Sequence, residues 1–582
     1  MLELKRERLT PLNLVNQRRI STYTLIICGL LLMMVYHFGF GARYSLEQYG
    51  ERPRQSIGTL TTFSNEGAYW FVGSMALLFI LYGWGFWAGM RASVCFTDRQ
   101  RYRMLALVIV GGGLFSLIML PMYPVDASDI YDYIIRGRIS AVYELNPMLN
   151  TPDQIMLDPF HRFASWRKTP SAYGPAWEVL AYVTSTLTAE STRNQQVIAY
   201  KLLAVVGYGL TALFIGLTLR QIAPQRMVIG MYLFLWNPLV VYMTAGTGHN
   251  DALMTACVAL ACYCLSRRWY VGATFAATLG TLIKFIPALL IPIIALIALR
   301  ELGKRQWLRY LVVSALTCGF AAVVLYAPYW HGWDTLRIQR RELMYTGSAA
   351  TVIRQWLIFY LDGATELQAL PRNTPNSNAL LANGTLLLFG LFYLWQLAQL
   401  WRDYQPVNSV RITARIMLAY LLIASLWFHA WYVIWLIALI ALLEDTPLRR
   451  LALMFSYLVT WQAFLYNYMT IQTRAGLWLP WLDAVPVTLY MGYAACYIFH
   501  YQSMAWQRRR QAQPADHLVG MRLQAARQST GLALGTVSDE LDIRYDHLEQ
   551  YERGERPLRL DHGRALAQRF GVPLEDLLGM KA

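Results

Sequence analysis

Residues 22–40 read TYTLIICGLLLMMVYHFGF. No Lys, Arg, Asp or Glu interrupts them, and a helix needs roughly 20 mostly apolar residues to cross a bilayer. The basic residues Lys5, Arg6, Arg8, Arg18 and Arg19 precede this run and no small-residue cleavage site follows it. It therefore reads as a first membrane span and not as a cleaved signal. Runs of the same kind recur along the chain, at 67–89, 104–122, 197–219, 227–243, 251–266, 270–283, 285–299, 308–327, 378–400, 411–428, 430–444, 450–469 and 484–503. The expectation is an all-α protein with about fourteen spans. Two further apolar stretches, 173–189 and 352–363, are expected to be re-entrant or interfacial.

Composition agrees with that class. Of 582 residues, 56% are hydrophobic and 15% charged, where soluble domains carry about 25% charged residues. Twenty Trp and 37 Tyr suit a protein with two membrane–water interfaces to line. The formal charge of +16 fits cytoplasmic loops rich in Lys and Arg. Basic loops fall at Arg91–Arg103, Arg220–Arg226, Arg267–Arg268, Arg300–Arg309, Arg402–Arg415, Arg449–Arg450 and Arg508–Arg510. With a cytoplasmic N-terminus, strict alternation through the fourteen spans puts all seven on the cytoplasmic side of an inner (plasma) membrane, and the C-terminus with them. The opposite face then receives 123–172, 244–250, the turn at Lys284, 328–377 and the tip at His429. The seven Cys lie in or beside apolar runs without disulfide or metal spacing, and read as buried packing residues.

Past Gln502 the composition shifts. Residues 1–503 form the expected membrane domain, 504–517 a polar, basic linker, and 518–582 a small soluble domain in which no segment could span.

The outer segments hold the unusual polar residues. In PMYPVDASDIYDYIIRGRISAVYELNP (121–147), Asp126, Asp129 and Asp132 directly follow a span. Asp129, Asp132 and Arg136 share one face if Asp129 opens a helix, with Ser128 or Asp129 as N-cap. A capped interfacial helix with ordinary loop charges accounts for the spacing equally well. His249, Asn250 and Asp251 sit where a loop enters a helix, and an N-cap is their simplest role. Lys284 interrupts an apolar run, which is costly unless the ammonium is paired, functional or snorkelled to the interface. Arg337, Arg340 and Arg341 cluster in an outer loop, against the positive-inside tendency.

These stretches carry a resemblance. SDIYDYIIRGRI (128–139) with Asn146-Pro147, then SAYGPAW (171–177), WNPLVVYMTAGTGHNDALM (236–254), LIKFIPALLIP (282–292), YAPYWHGWDTL (326–336) and FHAWYVIW (428–435) together resemble bacterial polyprenyl-phosphate-mannose-dependent mannosyltransferases of the GT-C superfamily. The resemblance covers roughly 120 to 500. It implies inverting transfer of a hexose, mannose first, from a polyprenyl-phosphate lipid in the bilayer to a glycan or glycolipid acceptor, with the first-loop acid as base. Asp129 matches that acid and Asp126 is the reserve. The chemistry asks for a positioned carboxylate to take the acceptor's proton and for donors on the departing phosphate. Lys284, Arg337, Arg340, Arg341, His249, Asn250, Asp251, His429 and Tyr173 are the candidates for sugar and phosphate. No cofactor is evident. A divalent metal is left open, since no dedicated ligand spacing is present.

The tail, with TGL at 530–532 and YERGERP at 551–557, closely resembles the Cro/phage-repressor type of helix-turn-helix domain, which implies a bundle of about five short helices. Ser538 stands where that family has Ala, and Asp542 where it has Gly; Asp can visit the left-handed region. Arg544, Tyr545 and Gln550 are the candidate DNA contacts. From Asp516 to Ala582, nine Lys/Arg face eleven Asp/Glu, a net of −2, which favours a protein partner, or the membrane domain itself, over DNA. Two other readings of the whole chain are a membrane-tethered transcriptional regulator and a glycolipid transporter. A transporter would want polar residues at the midplane, whereas here they gather at one face.

Overall fold

The computed structural model describes residues 11–53, 55–93, 96–125, 128–336, 345–361, 375–402, 406–472, 484–511 and 514–579. They are helical, with isolated bridges and no strand among the described residues. The chain divides into two units. One is Met1–Leu442 with Ser456–Val487, and the other is Leu443–Phe455 with Thr488–Ala582. This division differs from one drawn at the composition shift, because the loop after residue 442 and the last long helix group with the tail.

Among the described residues of the first unit, six helices are long and apolar enough to cross a membrane: Ile20–Gly41, Asn65–Gly89, Asp98–Met119, Arg193–Ile222, Lys304–Tyr329 and Asn378–Arg402. Pro224–Leu235 and Pro238–Gly246 make a seventh span if the pair, bent by 51°, is counted as one. Fourteen spans are not reached by this measure. Several apolar runs form helices that stop short. Tyr270–Thr281 and Leu290–Glu301 have 12 residues each, about 18 Å of helix against a hydrocarbon core of about 30 Å. The ambiguous stretches form Pro175–Leu187 and Ala349–Leu361, 13 residues each and short by the same arithmetic.

Sequence explains the bend. Pro238 lacks the N–H that would continue the first helix, and Asn237 restarts the second by accepting from the N–H groups of Leu239 and Val240 at 3.0 and 3.4 Å. Trp236, 1% exposed, fixes the corner by donating its indole N–H to Val108 O at 2.8 Å. Arg193–Ile222 has half of its most apolar window buried, whereas Lys304–Tyr329 and Asn378–Arg402 have 11% each, so the first is central and the other two present their apolar faces outward.

The helices that position the site are Asp129–Ala141 (α1), Pro175–Leu187 (α2), Arg193–Ile222 (α3), Asp251–Ser266 (α4), Tyr270–Thr281 (α5) and Val433–Ile440 (α6). The loop that follows α1 folds back on it. Asp132, buried, accepts from the backbone N–H groups of Ser165 and Trp166 at 3.2 and 3.0 Å. Arg136, 1% exposed, donates to the carbonyls of Thr169 and Trp166. Arg138 and Asp158 make a buried ion pair at 2.8 Å. Two of the three residues expected to share one face thus pin the loop, and Asp129 stands at the helix mouth.

The second unit contains Pro447–Val459 (α7, whose residues through Phe455 belong here) and Tyr493–Gln511 (α8). Five further helices follow: Pro514–Ser529 (α9), Leu534–Leu541 (α10), Tyr545–Glu552 (α11), Leu560–Phe570 (α12) and Leu574–Leu578 (α13). The stretch read as a linker is largely helical, as the end of α8 and the start of α9. The core of the five helices comprises Leu523, Leu534, Val537, Ile543, Tyr545, Leu548, Tyr551, Leu566, Phe570 and Leu577, all from within the tail. Between α10 and α11, Asp542 takes the left-handed conformation (φ 53°, ψ 34°), and the Ser538 hydroxyl donates to Ile543 O at 2.7 Å.

Of the cysteines, Cys28, Cys257, Cys262 and Cys264 are buried, while Cys318 is half-buried and Cys496 exposed, so the last two are not interior packing residues. Cys95 lies outside the described residues.

Candidate active site

Two helix N-termini meet here. α1 opens on Asp129 and α4 opens on Asp251, and a carboxylate in the first turn is favourable against the partial positive charge of a helix start. Neither preceding residue caps as expected. The Ser128 hydroxyl accepts from Ser165 Oγ at 2.6 Å, and Asn250 Oδ1 accepts from the Tyr133 hydroxyl at 3.2 Å. That second bond ties α1 to α4.

Gly248 makes the approach workable. Its φ is +78°, and a Cβ there would stand 2.6 Å from Ile130 Cδ1 on α1 and 3.0 Å from Lys201 Cγ on α3. The turn delivers His249, 1% exposed, with Nδ1 at 3.9 Å from Asp129 Oδ2. Neither ring nitrogen of His249 has a hydrogen-bond partner among the described residues. Its ring stacks on Trp431 at 3.9 Å between centroids, and His429 covers the other face of that indole at 4.1 Å. Burial, then the charges of Lys284 and His429, hold the His249 imidazole well below its usual range, so it is neutral at pH 7.

Lys284 is paired. Its ammonium donates to both carboxylate oxygens of Asp251, at 2.9 and 2.8 Å, and Asp251 also accepts from the Trp435 indole N–H on α6 at 2.8 Å. The ammonium lies 4.9 Å from the Tyr432 ring, 5.8 Å from Tyr173 and 5.9 Å from Trp435, an aromatic cage around a cation. The Tyr-Gly-Pro motif places Tyr173 there. Gly174 N–H bonds Ile283 O at 3.0 Å, and a side chain at Gly174 would overlap the Leu282 carbonyl. Pro175 then starts α2, where its missing N–H costs nothing.

A cavity of about 360 Å³ opens beside this cluster. His249, His429, Trp431, Thr247, Tyr242, Thr346 and Gln462 are among the residues that line it. Asp129 and Lys284 are not lining residues, and Asp129 reaches the wall through His249. The structure therefore brings together Asp129, Tyr173, His249, Asn250, Asp251, Lys284 and His429. Asp126, Arg337, Arg340 and Arg341 lie outside the described residues. No group of three His, Cys, Asp or Glu side chains is arranged to hold a metal among the described residues.

Several participants were not singled out in the sequence. Trp431 and Trp435 lie inside a quoted motif, but nothing there marks which ring faces the site. Lys201 interrupts the span 197–219, and that signal was available. It is fully buried and donates to the carbonyls of Leu120 and Met122, where the acidic loop begins. Glu178 is also fully buried. Its carboxyl accepts from Ser171 Oγ and is pushed up to about 7 by burial, against the opposing pull of Ser171 and Arg136.

In the tail, Tyr545 and Gln550 are 6% and 5% exposed and do not present themselves to a groove, while Arg544 is ion-paired with Asp546 at 2.6 Å. Glu552 is paired with Arg527 at 2.6 Å and Glu549 with Arg553 at 2.7 Å, so all three acids on α11 are paired.

Comparison with known proteins bears on the first unit. Residues 24–300 match the family model for the MptA_B family, alpha-(1->6)-mannopyranosyltransferase, N-terminal domain. The chain is 22% identical over 204 residues to alpha-(1->6)-mannopyranosyltransferase A of Corynebacterium glutamicum, covering 34% of this chain and 40% of that protein. It is 32% identical over 145 residues to a probable alpha-(1->6)-mannopyranosyltransferase of Mycolicibacterium smegmatis, covering 24% of each. The matches thus span less than half the length of these curated relatives. The family match takes in Asp129, Tyr173, His249, Asn250, Asp251 and Lys284, and leaves out His429 and the tail.

Proposed function

We propose that the chain is a membrane mannosyltransferase of GT-C type, drawing its sugar from a polyprenyl-phosphate lipid at the outer face of the plasma membrane, with both termini cytoplasmic. The observation that carries this reading is the meeting of α1 and α4 at their N-termini. It sets Asp129 beside His249, next to a cavity, within the region that matches the mannopyranosyltransferase family. The relatives' descriptions point to mannose and an α-(1→6) linkage.

In this reading Asp129 takes the proton of an acceptor hydroxyl. The oxygen attacks the anomeric carbon from the side opposite the phosphate, the new C–O bond forms, and the old one breaks with its electron pair leaving on the lipid phosphate. The configuration inverts. Neutral His249 and its stacked neighbours shape the sugar and phosphate pocket, and the caged Lys284–Asp251 pair holds its floor. The phosphate's charge calls for cations. Arg337, Arg340 and Arg341, just upstream of cavity-lining Thr346 in the chain, are the candidates.

The test is transfer in vesicles containing a mannosyl-phosphoryl-polyprenol and a mannan acceptor. Asp129→Asn should lower the rate by roughly 10²–10⁴ without changing the apparent melting point. Full activity in that variant would remove the base role from Asp129. Transfer supported by a nucleotide sugar alone would overturn the lipid-donor reading.

A further inference from the structure

The second unit holds a feature that the transfer reading does not use. Residues Leu443–Phe455 group with the tail. The loop is a knot of its own. Asp445 binds Arg449 at 3.2 Å and Arg450 at 2.7 Å, Arg449 also donates to Leu443 O at 3.2 Å, and Thr446 Oγ1 caps the start of α7 by accepting from Arg449 N–H. Against this knot lies the α10–α11 pair. Gly535 on α10 is buried, and a side chain there would overlap the carboxylate of Glu444, itself 1% exposed and unable to swing aside freely. On α11, Asp546 and Gln550 are one turn apart and both buried, although the core of the tail is built from the other side of that helix, by Tyr545, Leu548 and Tyr551.

We propose that the α10–α11 face of the tail is a self-docking surface for the chain's own loop Leu443–Arg450, gripped by Glu444 against Gly535 and by interleaved charges, Asp445 and Arg450 from the loop with Arg544 and Asp546 from the tail. The electrostatics agree. Burial opposes ionisation of Asp445, but Arg450, Arg449 and then Arg544 of the tail hold its carboxyl below the usual range. Burial likewise opposes the charge of Arg450, and Asp445 and then Asp546 sustain it. The two ion pairs set opposite charges across the junction as well as within each side. The partner is thus a segment of this same chain, and any outside ligand of that face, nucleic acid included, must first displace it.

Hydrogen–deuterium exchange on the full-length chain in detergent micelles tests this. In the wild type, peptides covering 443–450 and 544–550 should both be protected. Gly535→Leu places a side chain where the Glu444 carboxylate sits, the group nearest a Cβ at that position. It should raise exchange at least tenfold in both peptides while Leu566–Phe570 stays protected. If Gly535→Leu unfolds the tail, Arg544→Ala serves instead, since that side chain is half-exposed. It should raise exchange in 443–450 by several-fold with the tail intact. An unprotected 443–450 in the wild type, or unchanged protection there in a variant whose tail remains folded, overturns the proposal.

Discussion

Lys284 and Asp251 are 33 residues apart in the chain, yet the ammonium of one donates to both carboxylate oxygens of the other inside a ring of Tyr173, Tyr432 and Trp435. Asp251 is fully buried and the Lys284 side chain is 17% exposed. Desolvation makes such a pair costly to break from one side, because the survivor stays buried and uncompensated. Asp251→Asn and Lys284→Met should each destabilise the membrane unit by about 3–5 kcal/mol, and the double variant should recover much of that loss. Apparent melting in detergent is the measurement. A double variant whose loss equals the sum of the singles would show that the two do not act as a pair.

His249 predicts a pH dependence of stability. Burial, Lys284 and His429 hold its imidazole well below the usual value, so around pH 6 the folded chain binds no proton there while the unfolded chain, titrating near 6.5, does. The unfolded state therefore gains protons as the pH falls. Stability is full above about pH 6.5 and is lost below it, by up to about 1.4 kcal/mol per pH unit. His249→Gln should flatten that slope. Unfolding midpoints between pH 7.5 and 5.5 compare the two, and parallel acid losses would assign the effect to other groups.

What the sequence made legible follows from the range of the interactions. Apolar runs are local, so most predicted spans do appear as helices, although the run 227–243, read as one span, is bent by 51° at Pro238. Helix length is less local. Whether 270–283 crosses alone depends on where α5 stops, and apolar content does not say. Asp129, Tyr173, His249, Asn250, Asp251, Lys284 and His429, read from motifs, lie in one neighbourhood, but the partner each side chain takes is not legible in the motifs. Nothing near Lys284 in the chain points to Asp251, and nothing near Glu552 points to Arg527, 25 residues away. Counting charges along the tail therefore overstates its free acidity, because folding pairs Asp546, Glu549 and Glu552 of α11 with Arg544, Arg553 and Arg527. Ser128 and Asn250 have the chemistry of N-caps and spend it on Ser165 and Tyr133 instead, a choice made by tertiary contact.

Gly174 is predicted to tolerate no side chain. The atom it would overlap is a backbone carbonyl, that of Leu282, whose neighbour Ile283 accepts from Gly174 N–H. A backbone fixed by hydrogen bonds cannot give way as a side-chain tip can. Gly174→Ala should cost about 1–3 kcal/mol and push Tyr173 off the Lys284 ammonium. Sugar transfer should then fall more than melting alone accounts for. Wild-type transfer and melting in this variant would mean that the close approach carries no constraint.

The last prediction concerns the tail alone. Its core draws on Leu523 through Leu577 and needs nothing upstream, so a fragment from Pro514 to Ala582 should fold, and Leu548→Ala, at a fully buried position, should cost it about 2–5 kcal/mol. DNA affinity arises largely from cations that neutralise phosphates, and this fragment has little to offer. Arg544 is engaged by Asp546 and Arg527 by Glu552, Arg553 is paired with Glu549 and Arg559 with Asp561, and the net charge from Asp516 on is −2. Freed from the loop at 443–450, the fragment still carries those internal pairs. Its binding to random and genomic duplexes at physiological salt should stay within or below the non-specific range of about 10⁻⁴–10⁻⁶ M, with a shallow salt dependence. Tight binding concentrated on one sequence would mean that Arg544 leaves Asp546 for a phosphate or a base. The tail would then be a DNA reader held in check by its own loop.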